Sequence, residues 1–202
     1  MSATVITAYH GYMTRWGPDA RGRLQQAAME LFSQRGYEEA TVAQIAERAG
    51  LTERTFFRHF ADKREVLFAG SDSLRDLLVS GVASAPASVA PLEAVTAGLM
   101  AAGTVFNEER RSYSRQRQAI IAANAELRER ELIKLAGLAS AVADTLRRRG
   151  VPAPAATLVA ETGMGIFRVA FERWVDEAEQ DDWADLIRES LGHLKEFVST
   201  PS

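Results

Sequence analysis

The side chains best equipped for chemistry lie close together in the first third of the chain: Thr41, Thr52, Glu53, Arg54, Thr55, Arg58, His59 and Lys63. Hydroxyls, guanidiniums, an imidazole and an ammonium in one stretch are groups that hydrogen-bond to phosphates and base edges. Glu53 can accept from cytosine N4, or serve as a cap or a charge-tuning group. No Ser–His–Asp ordering, phosphate loop or HExxH occurs, and no catalytic set is assigned. Cysteine is absent, which removes disulfides, thiolate metal sites and cysteine nucleophiles. The three histidines have no ligand spacing, so no metal and no cofactor are expected.

Two short helices must position these groups. Thr41 is a good N-cap for Val42–Ala49, and Gln44 completes a capping box. Val42, Ile45, Ala46 and Ala49 form the apolar stripe of that helix. Gly50, Leu51 and Thr52 make a three-residue turn, and Thr52 caps a further helix, Glu53–Phe60. Phe56, Phe57 and Phe60 give this second helix its apolar side. Two short helices joined in this way are the helix-turn-helix pattern. Ala46 is small where the helices approach, Gly50 permits the sharp turn, and Leu51 plugs the angle. Glu53, Arg54, Thr55, Arg58 and His59 then point outward.

The flanking sequence reads as helix throughout. Leu24, Ala27, Ala28, Leu31 and Phe32 mark a helix over 21–36 that ends at Gly36. Asp62 and Glu65 read as a capping box that opens a fourth helix to about Gly81. Helices are expected near 92–106, 108–124, 126–149, 154–178 and 182–198, with no strand pattern. The expected class is all-α. A flexible arm covers residues 1–20, a helix-turn-helix domain 21–66, a connecting helix and linker 67–85, and a larger helical domain 86–202. The chain is 202 residues long with a net charge of −3, so its basic stretch at 52–64 is a local patch on an acidic protein. Such a patch suits specific nucleic-acid binding better than indiscriminate coating. No stretch is apolar enough for a membrane span, and a cytoplasmic location is expected.

The segment RLQQAAMELFSQRGYEEATVAQIAERAGLTERTFFRHFADKREVLF resembles the DNA-binding domain of the TetR family. The likeness lies in the A-x-x-L-F helix end, R-G-Y, T-V-x-x-I-A-x-x-A-G and T-F-F-R-H-F-x-x-K. The resemblance implies a sequence-specific transcriptional regulator, in the default case a repressor released from a palindromic DNA operator by a small-molecule effector. It implies DNA contacts at Thr41, Thr52, Arg54, Thr55, His59 and Lys63, the last two to phosphate. Phe57 stands where many members carry a tyrosine that binds phosphate through its hydroxyl. Phe57 cannot make that bond, so the contact weakens or shifts to Arg58 or His59.

The resemblance also implies a homodimer built from the last two helices. Met164, Phe167, Phe171 and Trp174, with Trp183, Ile187, Leu191 and Leu194, form wide apolar faces there. They fit either a dimer bundle or the core of one chain. Gly163 and Gly165 leave room for a second backbone.

In the larger domain, Tyr113, Arg117 and Asn124 share the helix side that carries Ile120 and Ile121, while Arg111, Arg115 and Gln118 are read as solvated. An inward arginine needs an answer. One candidate is Glu161 or Glu172. The other is an anionic effector, with Tyr113 and Asn124 supplying hydrogen bonds and Met100, Phe106 and Phe167 an apolar wall. Two rival functions stand beside this reading: an enzyme, and a DNA-binding module that senses nothing.

Overall fold

Thr41 and Thr52 both do locally what their positions predict, and the helices they open set the first unit. The computed structural model describes residues 20–176 and 178–199. The arm expected over residues 1–20 falls, but for Ala20, outside them. The chain divides into two compact units, residues 1–69 and 70–202.

The first unit holds α1 (Ala20–Arg35), α2 (Val42–Arg48) and α3 (Glu53–His59). Leu24, Ala27, Ala28, Leu31 and Phe32 of α1 are buried, as their spacing predicts. They pack with Ile45 and Ala46 of α2, Phe56 of α3, and Phe60. Gly36 and Gly50, just past the ends of α1 and α2, adopt φ of +86° and +65°. Only glycine enters that region without strain, which is why both helices stop there.

The helix expected from Asp62 to Gly81 is interrupted. Asp62 does act as a cap, its Oδ1 accepting from the N–H groups of Arg64 and Glu65 at 2.8 and 3.1 Å. The cap opens only a single 3-10 turn, Arg64–Val66. Val66, Leu67 and Phe68 are all buried. Three consecutive buried side chains point in directions that no single helix face can cover, so the chain turns instead. A new helix, α4 (Ser71–Ser84), begins after Gly70.

The second unit continues with α5 (Pro91–Ala101), a 3-10 turn at Ala102–Thr104, α6 (Glu108–Ala123), α7 (Ala125–Arg148), α8 (Ala153–Trp174) and α9 (Trp183–Ser199). The described residues contain no strand, so the all-α expectation holds for them. Helix α8 stops at Trp174, short of the expected 178.

Two glycines let α4 and α5 cross closely. A Cβ built on Gly81 would lie 2.6 Å from Gly98 Cα, and one on Gly98 would lie 2.8 Å from the Leu78 carbonyl. Leu78, Val82, Val95, Leu99, Leu138, Val142, Leu146, Phe167, Trp174, Trp183 and Ile187 share one apolar core. Trp183 resolves its buried indole N–H by donating to the Leu99 carbonyl at 2.8 Å. No helix of the described residues is long and apolar enough to cross a membrane.

Candidate nucleic-acid interface

The interface is built from the two threonine caps upward. Thr41 Oγ1 accepts from the Gln44 N–H at 3.2 Å, and Gln44 Oε1 accepts from the Thr41 N–H at 3.1 Å. This is the full reciprocal capping box, so the Thr41 N–H is already occupied. Thr52 Oγ1 accepts from the Thr55 N–H at 3.2 Å and shares a hydrogen bond with Thr55 Oγ1 at 3.0 Å. The start of α3 is therefore fixed before any ligand arrives.

Helix α3 turns Phe56 wholly inward, at 0% exposure. Its outward face carries Glu53, Arg54 and Arg58, all exposed, with Thr55 and His59 half-buried. Among the described residues neither Arg54 nor Arg58 has an intramolecular partner. His59 Nε2 is buried and has no hydrogen-bond partner among them. Phe57 is a correction. It does not join the apolar side but remains 55% exposed on the same face as the two arginines. Seven residues make two turns, and Phe56 and Phe60 already fill the inward stripe four residues apart.

Lys63, expected at phosphate, has its ammonium engaged elsewhere. Nζ donates to the carbonyl oxygens of Tyr37, Glu38 and Ala40 at 2.9, 3.1 and 3.2 Å. An ammonium has three N–H donors, so these acceptors use its whole set. Burial raises the Asp62 carboxyl nearby, yet the Arg64 side chain and the backbone N–H groups of Glu65 and Arg64 hold it below its ordinary value.

Sequence reasoning missed Arg23. Its guanidinium donates to the Ala49 carbonyl and, at 3.4 Å, to that of Gly50. It thus caps the C-terminus of α2, where carbonyls have no intrahelical partner and positive charge is favoured. The partners lie 26 residues apart, so no local pattern could signal this contact.

The residues proposed for an effector do not form one group. Phe106 and Phe167 do meet, with ring centres 5.7 Å apart, but inside an aromatic cluster with Phe171, Trp174 and Trp183. Met100 packs against the same core. Asn124 Nδ2 donates to the Ile120 carbonyl of its own helix at 2.6 Å, and Tyr113 is 36% exposed. Arg117 is answered by Glu131 of α7 at 3.3 Å, not by Glu161 or Glu172. Burial pulls the Arg117 guanidinium below its ordinary value, and the Glu131 carboxylate works against that shift.

On α6 the residues expected in solvent are drawn inward as well: Arg111 is buried and Arg115 and Gln118 are half-buried, while Ile121 of the expected inner side is at 0% exposure. Arg111 is 7% exposed and donates to the carbonyls of Glu179 and Asp181 at 2.9 and 2.7 Å. Arg115 donates to the Val175 and Asp176 carbonyls at 2.8 and 3.2 Å. The connection between α8 and α9 offers backbone acceptors that no strand or helix satisfies, and two arginines supply them.

Of the residues proposed for the dimer, Met164, Phe167, Trp174, Trp183 and Ile187 are buried within their own chain. Phe171, Leu191 and Leu194 are partly buried against the same core. Gly163 is filled by the Val95 side chain, whereas a Cβ on Gly165 would meet nothing within 4 Å. Among the described residues, the large apolar side chains left exposed on these helices are Leu158, Val169, Phe197 and Val198.

Comparison with known proteins agrees with this arrangement. Residues 24–69 match the family described as bacterial regulatory proteins, tetR family, and residues 89–199 match the MftR C-terminal domain. The chain is 40% identical over 81 residues to the HTH-type transcriptional regulator TcmR of Streptomyces glaucescens, a match that covers 40% of this chain and 36% of that one. It is 26% identical over 155 residues to a Mycobacterium tuberculosis protein named as a mycofactocin biosynthesis transcriptional regulator, MftR, covering 75% and 78%. The crystal structure of a transcriptional regulator from Aquifex aeolicus superposes with a TM-score of 0.54 at 18% identity, over 88% of this chain and 99% of that one. With the helix-turn-helix in place and both halves matched, this chain belongs to the TetR family of transcriptional regulators, with a C-terminal domain of the MftR kind.

Proposed function

We propose that the chain acts in the cytoplasm as a homodimeric repressor that reads a palindromic operator through α3 and lets go when a small molecule binds residues 70–202. One observation carries the reading. Helix α3 is capped and packed on one side, while Arg54, Phe57 and Arg58 stand exposed on the other. Cations with no internal use, on a helix narrow enough for the major groove, suit DNA.

Dimerisation supplies the second recognition helix. Leu158, Thr162, Gly165 and Val169 recur every three or four residues along α8, and Phe197 and Val198 lie near the end of α9. A second copy seated there would cover them. The effector reading rests on Tyr113 and Arg117. An anionic effector would have to take the place of Glu131 at the guanidinium.

The test has two steps. Sequences bound by the full chain are selected from random DNA and footprinted, then small molecules are screened for release. A palindrome with half-sites about 34–36 Å apart is expected. Tight binding by a monomer to one asymmetric site would overturn the dimer reading. Increased transcription from a bound promoter in a reconstituted system would overturn repression.

A further inference from the structure

Phe57 stands in the middle of the exposed face of α3. Glu53 and Arg54 lie one turn before it and Arg58 beside it, all exposed. Phe57 keeps 55% of its surface in water, while Phe56 and Phe60 are at 0% and 4%. The Phe56 ring braces it edge-on, with centres 5.5 Å apart and planes at 82°. One flank of the Phe57 ring is thus held by packing and the other is open.

A phenyl ring neither donates nor accepts a hydrogen bond in the ordinary sense. It gains nothing from a phosphate oxygen and little from the polar edges of guanine, adenine or cytosine. The major groove offers one apolar group at a base edge, the C5-methyl of thymine. We propose that Phe57 reads a thymine: its open flank packs on that methyl, while Arg54 and Arg58 on either side bind base edges or phosphates. Cytosine at the same place lacks the methyl and presents its N4 donor instead, so it is discriminated against. This assignment rests on the proposal that α3 reads an operator.

The test uses the full-length chain and its selected operator. Each thymine is replaced in turn by deoxyuridine, which removes the methyl and leaves the pairing unchanged. The expected result is a loss of about fourfold in affinity at one position of each half-site, the scale of one buried carbon. Phe57→Ala should lose a similar factor on the intact operator and then show no further loss with deoxyuridine. Because the side chain is exposed, the variant should keep the thermal midpoint of the wild type.

A variant that still shows the wild-type deoxyuridine penalty overturns the assignment. So does a sequence-specific wild type with no thymine penalty anywhere, or a Phe57→Ala that weakens operator and random DNA by the same factor. That last result would put the ring against a sugar. A wild type with no sequence preference at all would overturn the operator reading itself, and this proposal with it.

Discussion

The Lys63 ammonium sits 4.3 Å from the centre of the Tyr37 ring and donates to the carbonyl oxygen of that same residue at 2.9 Å. With the Glu38 and Ala40 carbonyls it pins the loop between α1 and α2. The loop positions Thr41, and Thr41 positions α2. Replacing Lys63 by Met keeps the stem and removes every donor. Part-buried carbonyls would then be left unanswered, at a cost of about 1–3 kcal/mol. A lower thermal midpoint is expected, together with weaker binding to specific and random DNA alike. An unchanged midpoint would mean that the three hydrogen bonds do not stabilise the unit.

Arg54 should behave differently. It is exposed at the first turn of α3 and no fold contact depends on it. Arg54→Ala is expected to leave the thermal midpoint unchanged and to cost about 1–3 kcal/mol at one base pair of the operator. Binding measured across all single-base variants of the site would show preference relaxed at that pair. Equal loss on every sequence would assign Arg54 to phosphate.

The glycines of the second unit offer a paired test of packing. Gly81→Ala forces a methyl against the Gly98 backbone, where no side chain can move aside. Destabilisation of about 1–3 kcal/mol is expected in chemical denaturation. Gly137 lies within α7, exposed, and a Cβ there meets nothing within 4 Å. Gly137→Ala should stabilise by about 0.5–1 kcal/mol through helix propensity alone. A Gly81→Ala variant as stable as the wild type or more so would show that the α4–α5 crossing is looser than the Gly81–Gly98 approach implies.

Arg117→Met would leave Glu131 half-buried without its cation. A loss of about 3 kcal/mol is expected. Adding Glu131→Leu should restore most of it, because the unpaired charge is then gone. The double variant also tests the effector site. If it binds operator and is released at the wild-type effector concentration, Arg117 takes no part in sensing.

For the dimer, the informative substitution is Val169→Asp. Val169 is 51% exposed, so the charge should not disturb its own protomer. Sedimentation is expected to show a folded monomer with greatly reduced affinity for a palindrome. Phe171→Asp is a poorer test, since its ring packs with Phe167, Phe106 and Trp174 and its loss would damage the protomer itself. A dimeric Val169→Asp protein would move the interface away from this face of α8.

The helix-turn-helix was legible in the sequence because its determinants are short-range. The Thr41 and Thr52 caps act over three residues, the glycines at 36 and 50 act on their own backbone, and the α1 stripe repeats every turn. Such features need only local geometry, and the family resemblance lies in the same stretch. The tertiary structure decided what depended on distant partners. Lys63 finds carbonyls 23 to 26 residues away, and Arg111 finds them 68 and 70 residues away. Charge alone marks both as solvated or DNA-facing, because a pattern of residue types does not reveal where unsatisfied backbone acceptors will gather. Trp174 and Trp183 likewise fit interface or core by pattern, and the family resemblance favoured the interface. Only the packing of α5, α8 and α9 around them placed those rings inside one chain, and the packing of α3 on its neighbours decided between the two positions open to Phe57, the apolar side that its type suggests and the outer face that the resemblance implies.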